Sequence, residues 1–234
     1  LQNGLTLIHQ NNMGAFGGPD IITDGLVFAV DAASERSYPG SGTTATDLAG
    51  TNTISLDNGV GFSSANGGTF VFDGIDDEIN TNLTTQYTDF SCVVIFKNNS
   101  SAAWGRLVDK SYTNGFFISA YFATGGLGYV GAGIIEPSSP HGQSLQYDTS
   151  VYNYFVVTRS GTTHTIYLNG SGTSASKTGS GAALGTAAMA IGSWYGSSTG
   201  QRFTGEIPVV KTYNRALTAA EVDQDFNAYR NRFI

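Results

Sequence analysis

The chain has 234 residues, of which 40% are hydrophobic and 12% aromatic, enough for a sizeable core in one large domain or two small ones. Only 12% are charged, about half the usual share of a soluble domain, which closes the high-charge route to disorder. The net charge of −7, with scattered Lys and Arg, excludes nucleic acid as a partner, because phosphate binding needs clustered cations.

The single cysteine, Cys92, rules out an intramolecular disulfide and any cysteine-based metal knuckle. It stands in the apolar run Phe90 to Phe96 and reads as a buried, inert thiol. No run approaches the ~18 consecutive apolar residues of a membrane span, so no membrane is expected as a partner. The first residues show neither the basic start nor the cleavage site of a signal peptide, and no secretion route is expected.

In chain order, residues 1–20 come first as an arm. Gly14, Gly17, Gly18 and Pro19 disfavour both helix and sheet. Leu5, Leu7, Ile8, Met13 and Phe16 are unusually apolar for a tail and are the candidate residues for docking on a partner. Residues 21–234 form the domain. Its clearest predicted strands are Leu26–Val30, Thr69–Phe72, Phe90–Phe96, Phe116–Phe122, Tyr154–Thr158 and Thr165–Leu168. Weaker ones lie at Thr53–Leu56, Arg106–Asp109, Leu127–Val130, Leu145–Tyr147, Met189–Ile191 and Ile207–Tyr213. Ser160-Gly161 separates two of them and Asn169-Gly170 closes the next, the second pair being a strong hairpin signal. Short connections with no helices between exclude a parallel sheet, which needs long crossovers. The fold class is therefore all-β, two packed antiparallel sheets. Phe90–Phe96 is apolar on both faces and is expected at the centre of a sheet.

One helix ends the chain. Thr218-Ala-Ala-Glu221 is a capping box, with Leu217 and Val222 placed as a hydrophobic staple. Val222, Phe226 and Tyr229 recur at helical spacing and predict an apolar stripe against the sandwich, with Phe226 as its middle contact. Arg230 and Arg232 suit the dipole of the last turn.

Together Asp24–Asp31, Phe72–Ile79, Tyr154–Thr158 with Ile166–Gly170, and Phe203–Ile207 followed by Tyr213–Val222 resemble the laminin-G-like, concanavalin A-like jelly-roll family. The resemblance spans about residues 24–233 and implies a jelly-roll sandwich of two antiparallel sheets with a short C-terminal helix. Within it, Asp31–Thr44, Asp47-Leu-Ala-Gly50 and Phe226–Phe233 are similar to copies in structural proteins of tailed bacteriophages, marine ones especially. Those relatives commonly have a Trp before the Asp-Leu pair, where Ala45 and Thr46 stand here, and an acidic pair where this chain has Pro208-Val209. These departures argue against carrying over a metal or ligand site.

Catalysis finds little support. Glycoside hydrolysis needs two carboxylates facing each other across the bond, and Glu35, Glu78, Glu136, Glu206 and Glu221 form no such pattern. His9, His141 and His164 are scattered and are expected to be exposed structural residues. No catalytic residue and no cofactor is expected. Asp76 and Asp77, with Asp73, are the candidate metal ligands; the resemblance allows a structural calcium, while Asp-rich turns commonly use these side chains on their own amides. Trp104, Tyr112, Trp194 and Tyr195 stand near Gly/Ser-rich loops and are the candidate glycan-binding residues. The sequence thus predicts a non-catalytic virion protein of a phage, a fibre, neck or capsid-decoration component. Its arm would bind other virion proteins and its jelly roll would be displayed as a homo-oligomer in the particle. A module recognising host surface glycans is the alternative.

Overall fold

The computed structural model describes residues 19–99, 104–110, 115–136, 139–194 and 201–233, and the side chains of these except at 124, 135, 136 and 139–141. The expected docking residues Leu5, Leu7, Ile8, Met13 and Phe16 lie outside the described residues. Among the described residues no helix is long and apolar enough to cross a membrane.

The strands in chain order are β1 Leu26–Asp31, β2 Thr44–Thr46, β3 Thr53–Asp57, β4 Gly61–Ser63, β5 Thr69–Asp73, β6 Glu78–Asn80, β7 Phe90–Asn98 and β8 Gly105–Lys110. They continue as β9 Phe116–Phe122, β10 Leu127–Glu136, β11 Ser139–Asp148, β12 Asn153–Ser160, β13 Thr163–Leu168, β14 Ser174–Thr178, β15 Ala190–Ile191 and β16 Thr204–Tyr213, before helix α1 at Ala219–Phe233. All pair antiparallel. The first sheet runs β14-β13-β12-β7-β16-β5-β4, with β1 also on β16; the second runs β11-β10-β9-β8-β15-β6-β3-β2. This is the all-β jelly-roll sandwich the sequence predicts, with its C-terminal helix. Every predicted strand is present, while β2, β4, β6 and β14 are additional.

Strand β7 sits between β12 and β16, so Val94 lies opposite both Phe155 and Val210. Its two apolar faces serve different cores. Phe90, Cys92, Val94 and Phe96 point between the sheets, packed with residues such as Phe72, Leu107, Ile118 and Val130. Val93 and Ile95 point outward to a second cluster with Tyr154, Val156, Val209, Tyr213 and the helix. Cys92 is fully buried, and that burial pushes its thiol up to about 12, so it stays protonated and inert. Strand β16 changes face through an irregularity at Pro208: Ile207 and Val210 enter the inner core while Val209 joins the outer cluster. Proline, without an amide hydrogen, suits a break in the ladder.

The helix begins as its sequence dictates. Thr218 N–H donates to Glu221 Oε2 at 2.8 Å, and Glu221 N–H donates to Thr218 Oγ1 at 3.3 Å. Arg215 adds a second partner, Nη2 lying 2.6 Å from Glu221 Oε1, and holds that carboxyl at about 2. The stripe itself differs from expectation. Val222, Asp225, Tyr229 and Phe233 are its buried residues, while Phe226 is half-buried, its ring tilted against Tyr154 at 5.6 Å. The middle contact is therefore Asp225, not Phe226, because the helix turns its 222–225–229 edge towards the sheet.

Asp225 is fully buried and meets Lys211 Nζ of β16, 1% exposed, at 2.5 Å. Tyr154 Oη donates to Asp225 Oδ2 at 2.9 Å, and the Ile22 amide donates to Oδ1 at 3.2 Å. The Lys211 ammonium also lies 4.7 Å from the Tyr229 ring centre. Burial lowers the Lys211 pKa, opposed by the Asp225 charge; burial and that same charge hold Tyr154 well above its ordinary range. One knot thus ties β16, β12, the helix and the entry segment together. Arg232, in the last turn as expected, also grips Asp31 through Nη1 at 2.9 Å to each carboxylate oxygen and donates to the Gly68 carbonyl at 3.0 Å. Asp47 accepts the Ala29 and Ala49 amides, each at 3.0 Å, and so fixes the next loop on β1. Asp31, Asp47 and Arg232 therefore hold the end of the helix and the loop after β1 in place.

Candidate functional site

The outer face of the second sheet is built by simple alternation. In β9, Phe116, Ile118 and Ala120 enter the core, leaving Phe117, Ser119 and Tyr121 outside. In β10, Val130, Ala132 and Ile134 enter the core, leaving Tyr129, Gly131 and Gly133 outside. The register places Tyr129 beside Tyr121, Gly131 beside Ser119 and Gly133 beside Phe117. Small residues opposite rings are a steric requirement: a Cβ on Gly133 would stand 2.3 Å from the Phe117 ring. Phe117, Ser119, Tyr121, Tyr129 and Gly131, with Trp104 before β8 and Gln143 and Ser144 from β11, line a groove of about 590 Å³.

Three rings form its aromatic platform. Trp104 lies 5.1 Å from Tyr121 and Tyr121 lies 6.5 Å from Tyr129, centre to centre, inclined by 40° and 32°. Trp104 is 59% exposed and Tyr129 42%, a large apolar surface left to water.

Beneath the platform, a bulge at Leu107 sets the chemistry. Arg106 pairs with Ser119 but Val108 pairs with Ile118, so Leu107 and Val108 both enter the core and Arg106 stays on the outer face. Arg106 is nevertheless 4% exposed. Its guanidinium lies 3.7 Å from the Phe117 ring centre, Nη1 donates to Ser119 Oγ at 2.9 Å, and Nε stands 3.5 Å from Asp109 Oδ2. Trp194 is half-buried, its ring centre 5.9 Å from the same guanidinium. Of the four glycan candidates, the structure brings Trp104 into the groove and sets Trp194 beside Arg106; Tyr112 and Tyr195 lie outside the described residues. Tyr121 and Tyr129 were not among the candidates. The alternation of Phe117, Ser119 and Tyr121 against a core face is the signal that could have found them.

The carboxylates at the β5–β6 turn do come together: ligand atoms of Asp73, Asp76 and Asp77 lie within 4.8 Å of one another. Asp73 and Asp76 are exposed and Asp77 is buried. Oxygens of Asp73 and Asp77 already serve the turn. Asp77 Oδ2 accepts the Asp73 amide at 2.8 Å and Asp73 Oδ1 accepts the Ile75 amide at 2.7 Å. Burial raises the Asp77 pKa, the Asp73 amide lowers it, and the Asp73 and Asp76 charges raise it further. Calcium ordinarily takes six to eight oxygens, and the three carboxylates could supply only part of such a shell.

Other candidate chemistry is dispersed. His164 corrects the expectation of an exposed histidine: it is 2% exposed, because β13 turns His164, Ile166 and Leu168 inward together. His9 and the His141 side chain lie outside the described residues. Glu78 accepts from Ser193 Oγ at 2.5 Å and meets Arg202 at 3.1 Å, Glu206 accepts from Tyr152, and Glu221 caps the helix.

The sandwich agrees with comparison at the level of sequence families: residues 72–223 match the concanavalin A-like lectin/glucanases superfamily, in its laminin-G-like branch. The chain belongs to this superfamily. Among solved structures, this laminin-G-like domain resembles the botulinum neurotoxin serotype D binding domain, with a TM-score of 0.64 at 12% identity over 88% of the chain and 52% of the other. A mutant Trypanosoma rangeli sialidase displaying trans-sialidase activity gives 0.63 at 15% identity over 93% and 35%. Domain 4 of an extracellular arabinanase from Geobacillus stearothermophilus, in complex with arabinotriose, gives 0.60 at 17% over 86% and 98%. The chain thus spans about half of the toxin structure and a third of the sialidase, and at these identities the likeness is one of fold. No curated protein sequence matches it.

Proposed function

We propose that this laminin-G-like domain is a non-catalytic carbohydrate-binding module, displayed on a tailed-phage particle. The observation that carries the first part is the groove on the second sheet, where Trp104, Tyr121 and Tyr129 offer aromatic surface beside the hydroxyls of Ser119 and Ser144. Sugars present apolar C–H faces that stack on aromatic rings and hydroxyls that need donors and acceptors close by, and a groove mixing both meets each need. The arabinotriose bound to the arabinanase domain of the same fold supports the reading. A non-catalytic role is favoured because Glu78, Glu206 and Glu221 are engaged with Ser193, Tyr152 and the helix cap respectively, whereas hydrolysis needs an opposed pair. A glycan array with the purified protein is the test. Retained sugar that is lost in Trp104→Ala is expected; an array without hits, or release of reducing ends, would sink the reading.

The virion setting rests on the phage resemblance of Asp31–Thr44, Asp47–Gly50 and Phe226–Phe233. In that setting residues 1–20 bind other virion proteins, and several copies present their grooves outward. Deleting residues 1–20 is expected to leave a soluble domain that no longer joins the particle. Undiminished incorporation would remove the arm from that role.

A further inference from the structure

We infer that the ligand of the groove is an uncharged oligosaccharide chain that engages more than one sugar ring at once, and not a terminal acidic sugar; this rests on the glycan-binding reading above. Three observations carry it. The described lining, which includes Trp104, Ser119, Tyr121, Tyr129, Gln143 and Ser144, holds no ionised side chain. The stretches 100–103, 111–114 and 195–200, next in sequence to Trp104, Lys110 and Trp194, contain no Asp, Glu, Lys, Arg or His. At the tip of the β10–β11 hairpin the sequence offers one carboxylate, Glu136, and one imidazole, His141.

The cation nearest the platform is already committed. Arg106 is flat against Phe117, bonded to Ser119 and beside the fully buried Asp109. A guanidinium recognises a carboxylate through the N–H groups on its edge, and here Nη1 is bonded to Ser119 while Nε already faces the Asp109 carboxylate. An acidic sugar in the groove would shed water from its carboxylate with no cation to replace it, a costly transfer. The chain's net charge of −7 adds a repulsive field of the same sign. A neutral sugar meets neither penalty.

The spacing of the rings sets the size. Trp104, Tyr121 and Tyr129 follow one another across the strands at 5.1 and 6.5 Å, so a monosaccharide at one end of the row leaves the ring at the other end wet. Their inclinations of 40° and 32° do not make a flat shelf, and fit a soluble chain that turns along its length better than a planar crystalline surface.

Calorimetric titration of the purified chain tests this with a fixed panel. The neutral probes are arabinotriose, cellotriose, maltotriose and mannotriose with their monosaccharides; the acidic probes are sialyllactose and trigalacturonate. The expected result is binding of at least one neutral trisaccharide, about tenfold or more tighter than its monosaccharide and than either acidic probe. Trp104→Ala and Tyr129→Ala should each weaken it by about tenfold or more while the thermal melt falls by no more than a few degrees. Preference for an acidic probe, or a monosaccharide bound as tightly as its trisaccharide, would overturn this inference and leave glycan binding standing. Silence across the panel together with an array without hits would overturn both.

Discussion

The outer face of the first sheet carries Val93, Ile95, Tyr154, Val156 and Val209 under a helix, whereas the outer face of the second carries Trp104, Tyr121 and Tyr129 with no such cover among the described residues. Both faces display aromatic rings and both contain a buried cation paired with a buried Asp: Lys211 with Asp225 in the first, Arg106 with Asp109 in the second. They differ in what closes over them. On the first face the helix brings the acid, so the ion pair exists only when the helix is docked. On the second, acid and base come from the same strand and leave the rings above them free. An identical sandwich therefore has one side committed to its own stability and the other available to a ligand.

That contrast makes Asp225→Ala the most damaging single change. It leaves the Lys211 charge buried beside Tyr229 and Tyr213 without its carboxylate, and stranding one member of a buried pair costs about 3–5 kcal/mol. Urea unfolding should show the loss, and Lys211→Met combined with Asp225→Leu should recover most of it, since an apolar pair of similar size is often neutral. A loss below about 1 kcal/mol would mean that the helix is not held by this knot.

Next in size is Phe226→Ala. A fully buried Phe costs about 3–5 kcal/mol when truncated, but Phe226 is half-buried and touches the sheet mainly through Tyr154. About 1–2 kcal/mol is expected, clearly below Asp225→Ala in the same titration. The reverse order would put the contact edge of the helix back where its apolar spacing alone places it.

Thr218→Ala should cost about 0.5–2 kcal/mol through the lost cap. Its partner Glu221 gives the acid limb of the stability curve. The Arg215 contact lowers its pKa from 4.5 to about 2 in the folded chain, so the unfolded chain binds this proton first as pH falls. The stabilisation is present in full above pH 4.5 and disappears as pH falls through 2. Glu221→Gln should flatten that limb between these values in denaturant titrations run at stepped pH, and an unchanged slope would detach Glu221 from it.

Much of this was legible in the residues. Alternation marked the long strands, the two-sided apolar run of β7 marked the centre of a sheet, and Thr218–Glu221 marked the helix start because capping is local chemistry. The short strands were not visible: Thr44–Thr46, Gly61–Ser63 and Glu78–Asn80 are three residues each, too few to show a period. Ser174–Thr178 is a largely exposed edge strand with no apolar face to read. Asp225 was hidden because a carboxylate on an apolar stripe gains its meaning from Lys211, in another element. Trp104 stood out beside its Gly/Ser-rich surroundings, but Tyr121 and Tyr129 join it only through the β9–β10 register and the bulge at Leu107.

The smallest expected effect on stability belongs to the open face. Trp104 stands before β8 and is 59% exposed, so truncating it removes little buried area. Trp104→Ala should cost no more than about 0.5–1.5 kcal/mol, the worth of its aromatic contact with Tyr121. Tyr129→Ala, 42% exposed and tilted against Tyr121, should stay near the same range, losing one aromatic contact worth about 0.5–1.5 kcal/mol. Paired with the weakened sugar binding expected of the same variants, this separates recognition from folding. If either variant instead unfolded as readily as Asp225→Ala, the rings would be a structural cover like the helix on the opposite sheet, and the groove would cease to be a surface held free for a ligand.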